Sequence, residues 1–394
     1  VTLRSESNSR LTARLSLLAV GTFVLGVDGF VLAGLLPQVA ADLDVGIPVA
    51  GQLTTAFALA YAIGSPVIAT VTGRLDRRTV LGAGMVVFLL GMVAQALGPT
   101  FGVVLAGRVL AGLGAAAFQA NAFAVAGVLA PPERRARALA VVGAGPAVAS
   151  VLGVPFGVLA GQALGWRAAL WLIAGLAAVA AVLTVLLPRV MLPPMALRDR
   201  LRLFRTPRMA ALLVLTALLV VPQFALVAYL APLLGADGPG SSRVLVALVV
   251  FGVAFVIGNR LVGRAADRFG AVPVQVVGLS VSIVALVVLW LVRPDPVPTL
   301  AAMAVFGLVG SFQVIPQQNR VFTAGGPAAT IALGLNGSMI YVGSSVGAAL
   351  GGGVLAAGGV GLLTPVIVVV AALALTVVLL TRSLDRTPLV PHPA

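Results

Sequence analysis

The sequence predicts an all-α integral membrane protein, with twelve transmembrane helices in two six-helix halves and both termini cytoplasmic. Three observations predict this. First, the 394 residues include only 25 basic and 11 acidic ones, or 9% charged, while 60% are hydrophobic and mean hydropathy is +1.14. A soluble protein carries about 25% charged residues, so a soluble globule of this composition could not cover its surface. A disordered chain would need low hydrophobicity. Second, the chain contains twelve apolar runs long enough to cross a bilayer. Third, its arginines fall on alternate loops.

The runs lie at about 14–36, 47–70, 79–98, 101–124, 137–160, 168–188, 209–233, 243–262, 272–292, 299–319, 329–356 and 361–381, each near the roughly 20 residues a crossing helix needs. Only helices and closed barrels cross membranes, and runs of this length without strict alternation are helices. Residues 1–13 form a cytoplasmic N-terminal tail. The first run outlasts a signal-peptide core, so no cleavable signal is expected. Residues 14–188 make the N-terminal bundle and 209–382 the C-terminal one, with 383–394 as a cytoplasmic tail. The loop 189–208 joins the bundles on the cytoplasmic side. Its stretch 195–208 alternates Arg with Leu, Met and Phe, which suits either a surface-lying helix or a solvated linker.

Arginine placement sets the orientation. With both ends inside, 21 arginines, Arg320 among them, face the cytoplasm; Arg167, Arg243 and Arg293 face out, and Arg108 lies within a span. The halves also repeat. Pro37 near the end of span 1 matches Pro232 near the end of span 7 at an offset of 195, and Asp76 matches Gly270 at 194.

Several chemistries are excluded. Every basic residue is Arg, so the phosphate-binding G-x-x-x-x-G-K-[ST] loop is absent. There is no Cys, and the one His, His392, lies in a Pro-rich tail, so no thiolate or His-based metal site or triad can be built. With two Glu and no nucleophile–base–metal set, an enzyme is not expected. The net charge of +14 invites nucleic acid as a partner, but arginines in short loops between apolar runs do not make such a surface.

Gly263-Arg264-Ala265-Ala266-Asp267-Arg268-Phe269-Gly270 follows the pattern G-x-x-x-D-R-x-G. In the first half the matching loop is degenerate: aligned on Arg77-Arg78, Gly73 stands where the pattern has Asp and Asp76 where it has Gly. Span 4 reads Arg108-Val109-Leu110-Ala111-Gly112-Leu113-Gly114, an R-x-x-x-G-x-G element. Span 5 carries Gly145-Pro146 and Gly153-Val154-Pro155-Phe156-Gly157, and Gly165-Trp166-Arg167 follows. In these features the chain resembles the major facilitator superfamily, specifically its twelve-helix drug/proton antiporters, over about 14–382. Gly34–Pro37, Ala50–Phe57, Gly64–Pro66 and Asn336 with Gly343, Gly347 and Gly351 resemble the branch of arabinose-type sugar efflux permeases and chloramphenicol exporters. That branch often has an acid at the position of Gly29; here the acid is Asp28, one residue earlier.

The resemblance implies a major facilitator fold and alternating access around a midplane cavity. It also implies a gating role for Gly263, Asp267, Arg268 and Gly270, and for Asp76, Arg77 and Arg78. Gly145, Pro146, Gly153, Pro155 and Gly157 would be its antiporter helix motif, with tight helix packing as the plainer role of the same residues.

Asp28 is the one acid inside a span, and intramembrane acids usually mark ion or substrate paths. By depth, Arg108 is its partner: the two lie about eight and seven residues below the same surface, roughly 12 and 10 Å at 1.5 Å per residue. They form either a proton-coupling pair or a permanent structural one. Gln52, Tyr61, Gln119, Asn121, Gln223, Gln313, Gln317, Asn336 and Tyr341 are cavity candidates, or else interhelical hydrogen-bonding groups. As a set they suit a mostly apolar small molecule. The expected protein is a monomeric proton-coupled exporter in a bacterial inner membrane. Its partners are lipid, protons and a small molecule such as an amphenicol-type antibiotic, and the proton gradient replaces any cofactor. Sugar or nucleoside efflux, and a non-transporting sensor, are the alternatives.

Overall fold

The structure is a computed structural model that describes residues 8–131, 134–149, 154–191, 203–235, 242–292 and 295–382. Among these residues every regular element is helical. The first set comprises α1 (Asn8–Asp42), α2 (Ile47–Val71), α3 (Arg77–Leu97), α4 (Phe101–Leu129), α5 (Arg135–Val148), α6 (Val154–Leu164) and α7 (Trp166–Leu183). The second comprises α8 (Pro207–Ala228), α9 (Leu230–Leu233), α10 (Ser242–Phe269), α11 (Ala271–Val292), α12 (Pro296–Gly325), α13 (Ala329–Gly358) and α14 (Leu363–Thr381). Eleven helices among the described residues are long and apolar enough to cross a membrane.

The run expected as one fifth span, 137–160, is described in two pieces, α5 and α6, and residues 150–153 between them lie outside the described residues. The described pieces have 14 and 11 residues. Gly153 lies outside the described residues.

Two other boundaries move. α10 continues to Phe269, so the G-x-x-x-D-R-x-G stretch is its last two turns rather than a loop. Gly270 ends it with φ +85°, a left-handed conformation that only glycine adopts at little cost. α12 runs to Gly325, which places Arg320 inside a helix, where it is buried. Charge counting had assigned it to a loop.

The packing repeats. In the first set α3 lies on α4 and α7, α2 on α4, and α1 on α5; in the second α11 lies on α12 and α14, α10 on α12, and α8 on α13. The correspondence reaches single atoms. A Cβ on Gly112 would lie 2.5 Å from the Phe57 carbonyl oxygen, and one on Gly307 would lie 2.5 Å from that of Phe251. Small residues let membrane helices meet backbone to backbone where lipid supplies no hydrophobic drive. The α3–α4 seam is built the same way, with Gly84 against Gly114 and Gly91 against Ala111.

The two sets meet along α2 and α13. We call the end carrying the 43–46 turn the far end, and the end carrying residues 184–191 and 203–206 the near end. One apolar core runs from the first set into the far-end residues of the second, among them Leu230, Leu233, Phe251, Met303, Phe306 and Ala348. The near-end residues of the second set form two separate cores, one with Met209, Leu212 and Val321 and one with Leu215, Leu279 and Val378. The sets are therefore joined at the far end.

Gly114→Val should unfold the α3–α4 seam, because its Cβ would start 2.3 Å from the Phe88 backbone nitrogen, a clash that nothing flexible can relieve. A Cβ on Gly175 meets nothing within 4 Å, so Gly175→Ala should hold or raise stability by about 0.5 kcal/mol. Thermal midpoints of the two variants in detergent check both.

Candidate functional site

Asp28 and Arg108 are 0% and 1% exposed, and Arg108 Nη1 donates to Asp28 Oδ1 at 2.7 Å. The helix contacts explain how they meet. Gly112, one turn beyond Arg108, lets α4 approach α2 closely. At that separation Arg108 Nε reaches the Leu53 carbonyl at 3.3 Å, and the guanidinium lies 4.8 Å above the centre of the Phe57 ring. A buried cation thus has a carboxylate, a carbonyl and an aromatic face.

Asp28 is less fully satisfied. Its Oδ2 is buried and has no hydrogen-bond partner among the described residues. An orphaned carboxylate oxygen in an apolar interior is costly and is a ready acceptor for a proton or a ligand donor. Position 29 differs sharply, since a Cβ there meets nothing within 4 Å. Moving the acid from 29 to 28 turns it from open space into the α2–α4 packing.

Phe57 links the pair to the seam between the sets. Its ring centre is 6.4 Å from that of Tyr341, which stacks on Tyr61 at 3.5 Å. The Tyr341 hydroxyl donates to Gln119 Oε1 at 3.2 Å. Asp28, Arg108, Tyr61, Gln119 and Tyr341 therefore form one neighbourhood.

The other cavity candidates do not join it. Gln52 Nε2 donates to Pro48 O in its own helix, and Gln223 is half-buried beside Gly310. Asn121 accepts from Arg77 Nη1 at 3.1 Å. Gln313, Gln317 and Asn336 are buried in a network rather than a lining. Gln313 Nε2 donates to Ser282 Oγ at 2.6 Å, Gln317 Nε2 to Leu212 O at 2.6 Å, and Thr216 Oγ1 to Asn336 Oδ1 at 2.7 Å. Arg320 donates into the same network, to Gln275 Oε1 at 3.0 Å and Thr381 Oγ1 at 2.9 Å. Sequence reasoning missed Gln275 and Ser282, although their polarity within an apolar run was a signal for them, and it set Arg320 just outside its run.

The loop residues have local tasks. Asp76 Oδ1 caps α3 by accepting from Arg78 N and also accepts from Val190 N, which ties the 72–76 turn to the segment after α7. Arg77 is buried, and its guanidinium donates to Gly73 O and Thr72 O at the end of α2. Gly263, Asp267 and Arg268 are exposed, and Arg268 lies over the Phe269 ring. The motif of the fifth run presses on α1: Cβ atoms at Gly145 and Gly157 would strike Thr22 and Val31, and one at Gly26 would strike Pro146.

Eleven membrane-length helices, a packing pattern repeated in two sets, and a buried acid–base pair beside the seam define a multi-pass membrane transporter. The chain belongs to the Major Facilitator Superfamily, whose family model matches residues 18–330. It is 35% identical over 346 residues to the chloramphenicol resistance protein of Streptomyces lividans, covering 86% of each chain. It is 31% identical over 344 residues to the inner membrane transport protein YdhP of Escherichia coli K12, covering 86% of this chain and 88% of that one. The D-xylose-proton symporter shares the fold with a TM-score of 0.77 at 16% identity, over 93% of this chain and 97% of that one.

Arg108→Ala leaves a buried carboxylate without its cation and should cost about 3–5 kcal/mol. The double change Asp28→Asn with Arg108→Gln removes both charges and should cost less than Arg108→Ala alone. Chemical unfolding of the three chains in detergent gives the order.

Proposed function

We propose that the chain is a proton-coupled antiporter that exports a small, mostly apolar compound, an amphenicol-type antibiotic first among them. The observation that carries this is Asp28: a buried carboxylate with one oxygen on Arg108 and the other uncommitted. Protonation at Oδ2 neutralises the acid and weakens its hold on Arg108, which then relies on the Leu53 carbonyl and the Phe57 ring. Loss of the proton restores the ion pair. The neighbouring Phe57, Tyr61 and Tyr341 rings supply apolar surface and Gln119 an amide, which suits a lipophilic molecule carrying few polar groups. The 35% identity to the chloramphenicol resistance protein favours an amphenicol, and the bacterial relatives favour the inner membrane. In this reading the chain crosses twelve times, with α5 and α6 together making one passage. Both termini are cytoplasmic, and the two helix sets rock against each other about the seam.

The test expresses the chain in a pump-deficient bacterial host and scores survival across antibiotic classes. Transport into inverted vesicles with and without a pH gradient follows. We expect raised tolerance to amphenicols and uptake that depends on the gradient. Unchanged survival for every class would move the reading to sugar or nucleoside efflux.

Asp28→Asn should abolish uptake driven by the pH gradient while downhill movement of the same compound persists. Full gradient-driven uptake by that variant would end the coupling role of Asp28.

A further inference from the structure

Tyr229 sits where the helix breaks between α8 and α9, with φ −116° and ψ 27°. The break aims its ring sideways into the far end of the molecule, and the residue is 0% exposed. The hydroxyl donates to Ala348 O at 2.9 Å. Glycines on two helices form the walls around it. A Cβ on Gly51 of α2 would lie 1.9 Å from the Tyr229 oxygen, one on Gly352 of α13 would lie 2.5 Å from the same atom, and one on Gly351 would lie 2.5 Å from the ring. No other residue type fits at these three positions while the ring stays in place.

Two of those glycines and the carbonyl belong to α13, which packs with α8 in the second set. The contact with Gly51 crosses to the first set. One helical turn further along the same seam, Ser345 Oγ donates to Thr55 O at 3.2 Å, and Gln52 Nε2 lies 3.2 Å from the Cβ position of Gly352. These contacts lie where the apolar core is shared between the sets.

We propose that Tyr229 is a positioning residue for transport: it bolts the far end shut by seating against Gly51, and its withdrawal from Gly51 is the step that opens that end. The bolt travels with α13, to which its hydroxyl is fastened, so the parting surface is the one between the Tyr229 ring and α2. The proposal requires only that a transporter of this fold opens alternately at its two ends. It is independent of proton coupling and of the substrate.

The chain has no cysteine, so a single introduced thiol reports alone. Ser345→Cys places one at the seam, where the native side chain is 6% exposed. The full chain is reconstituted in vesicles, and labelling by a membrane-impermeant maleimide is timed from each face. Labelling of a buried thiol follows how often its surroundings open. Tyr229→Ala removes the bolt, and Gly51→Ala pushes it out from the opposite side. Each should speed labelling of Ser345→Cys by about tenfold or more, as loss of a buried aromatic contact implies. Tyr229→Phe keeps the ring and loses one hydrogen bond, so it should stay within about fivefold of the parent. Ser282→Cys, in the buried network between α11 and α12, should label at the parent rate throughout. Two results would overturn the proposal: unchanged labelling at Ser345→Cys in both Tyr229→Ala and Gly51→Ala, or an equal rise at Ser282→Cys, which would mean general loosening. If Tyr229→Ala does not fold, Gly51→Ala with the Ser282→Cys control decides the matter.

Discussion

An ionised side chain removed from water must find its compensation inside the protein, and this constraint organises the whole molecule. Desolvating a single ion costs several kcal/mol, roughly, even after relaxation. The buried charges among the described residues, Asp28, Arg77, Arg108 and Arg320, are therefore each held by named partners. Arg108 takes a carboxylate, a carbonyl and a ring; Arg77 takes helix-end carbonyls and an amide; Arg320 takes an amide oxygen and a threonine. Only Asp28 keeps an oxygen in reserve. Close backbone approach at glycine brings the partners within reach, so the small residues of α4 serve the charge as well as the packing.

The repeated packing sharpens what is unusual about the first set. At the offset of 195 that links Pro37 to Pro232 and Gly112 to Gly307, Asp28 corresponds to Gln223 and Arg108 to Met303. The helices around both places pack alike, yet one place holds an ion pair and the other neutral groups. Shared architecture thus carries an asymmetric chemistry, with the acid–arginine ion pair on the first set and the second set contributing the Tyr341 ring across the seam.

Much of this was legible in the sequence. Hydropathy gives helices with near-correct limits because lipid leaves the backbone no alternative to internal hydrogen bonding. Asp28 and Arg108 stand out because charge is so rare in the apolar runs. Arg77 read as a loop residue and Arg320 did not stand out: counting charges by loop ignores that a helix can outrun its apolar stretch and turn an arginine inward. Gln313, Gln317 and Asn336 read either as a lining or as hydrogen-bonding groups between helices, because the sequence shows polarity but not which groups satisfy one another. Tyr229 reads only as one more polar group within a span, for a related reason. It is one aromatic in an apolar run, and its meaning depends on glycines some 180 residues before it and 120 after it that only the fold brings together.

The network around Arg320 has a direction. A guanidinium can only donate, so its bond to Gln275 Oε1 commits the Gln275 amide nitrogen to Gln313 O and Gln317 Oε1. That commits the Gln317 nitrogen to Leu212 O and Thr216 Oγ1, and the Thr216 hydrogen is then shared between Asn336 Oδ1 at 2.7 Å and Leu212 O at 3.0 Å. Each amide is oriented by the one before it, back to a single cation beside α14. The series cannot run backwards, since reversal would set a donor against the arginine. Four helices are thereby keyed to one another by polarity as well as shape, and a misplaced helix would meet donor with donor.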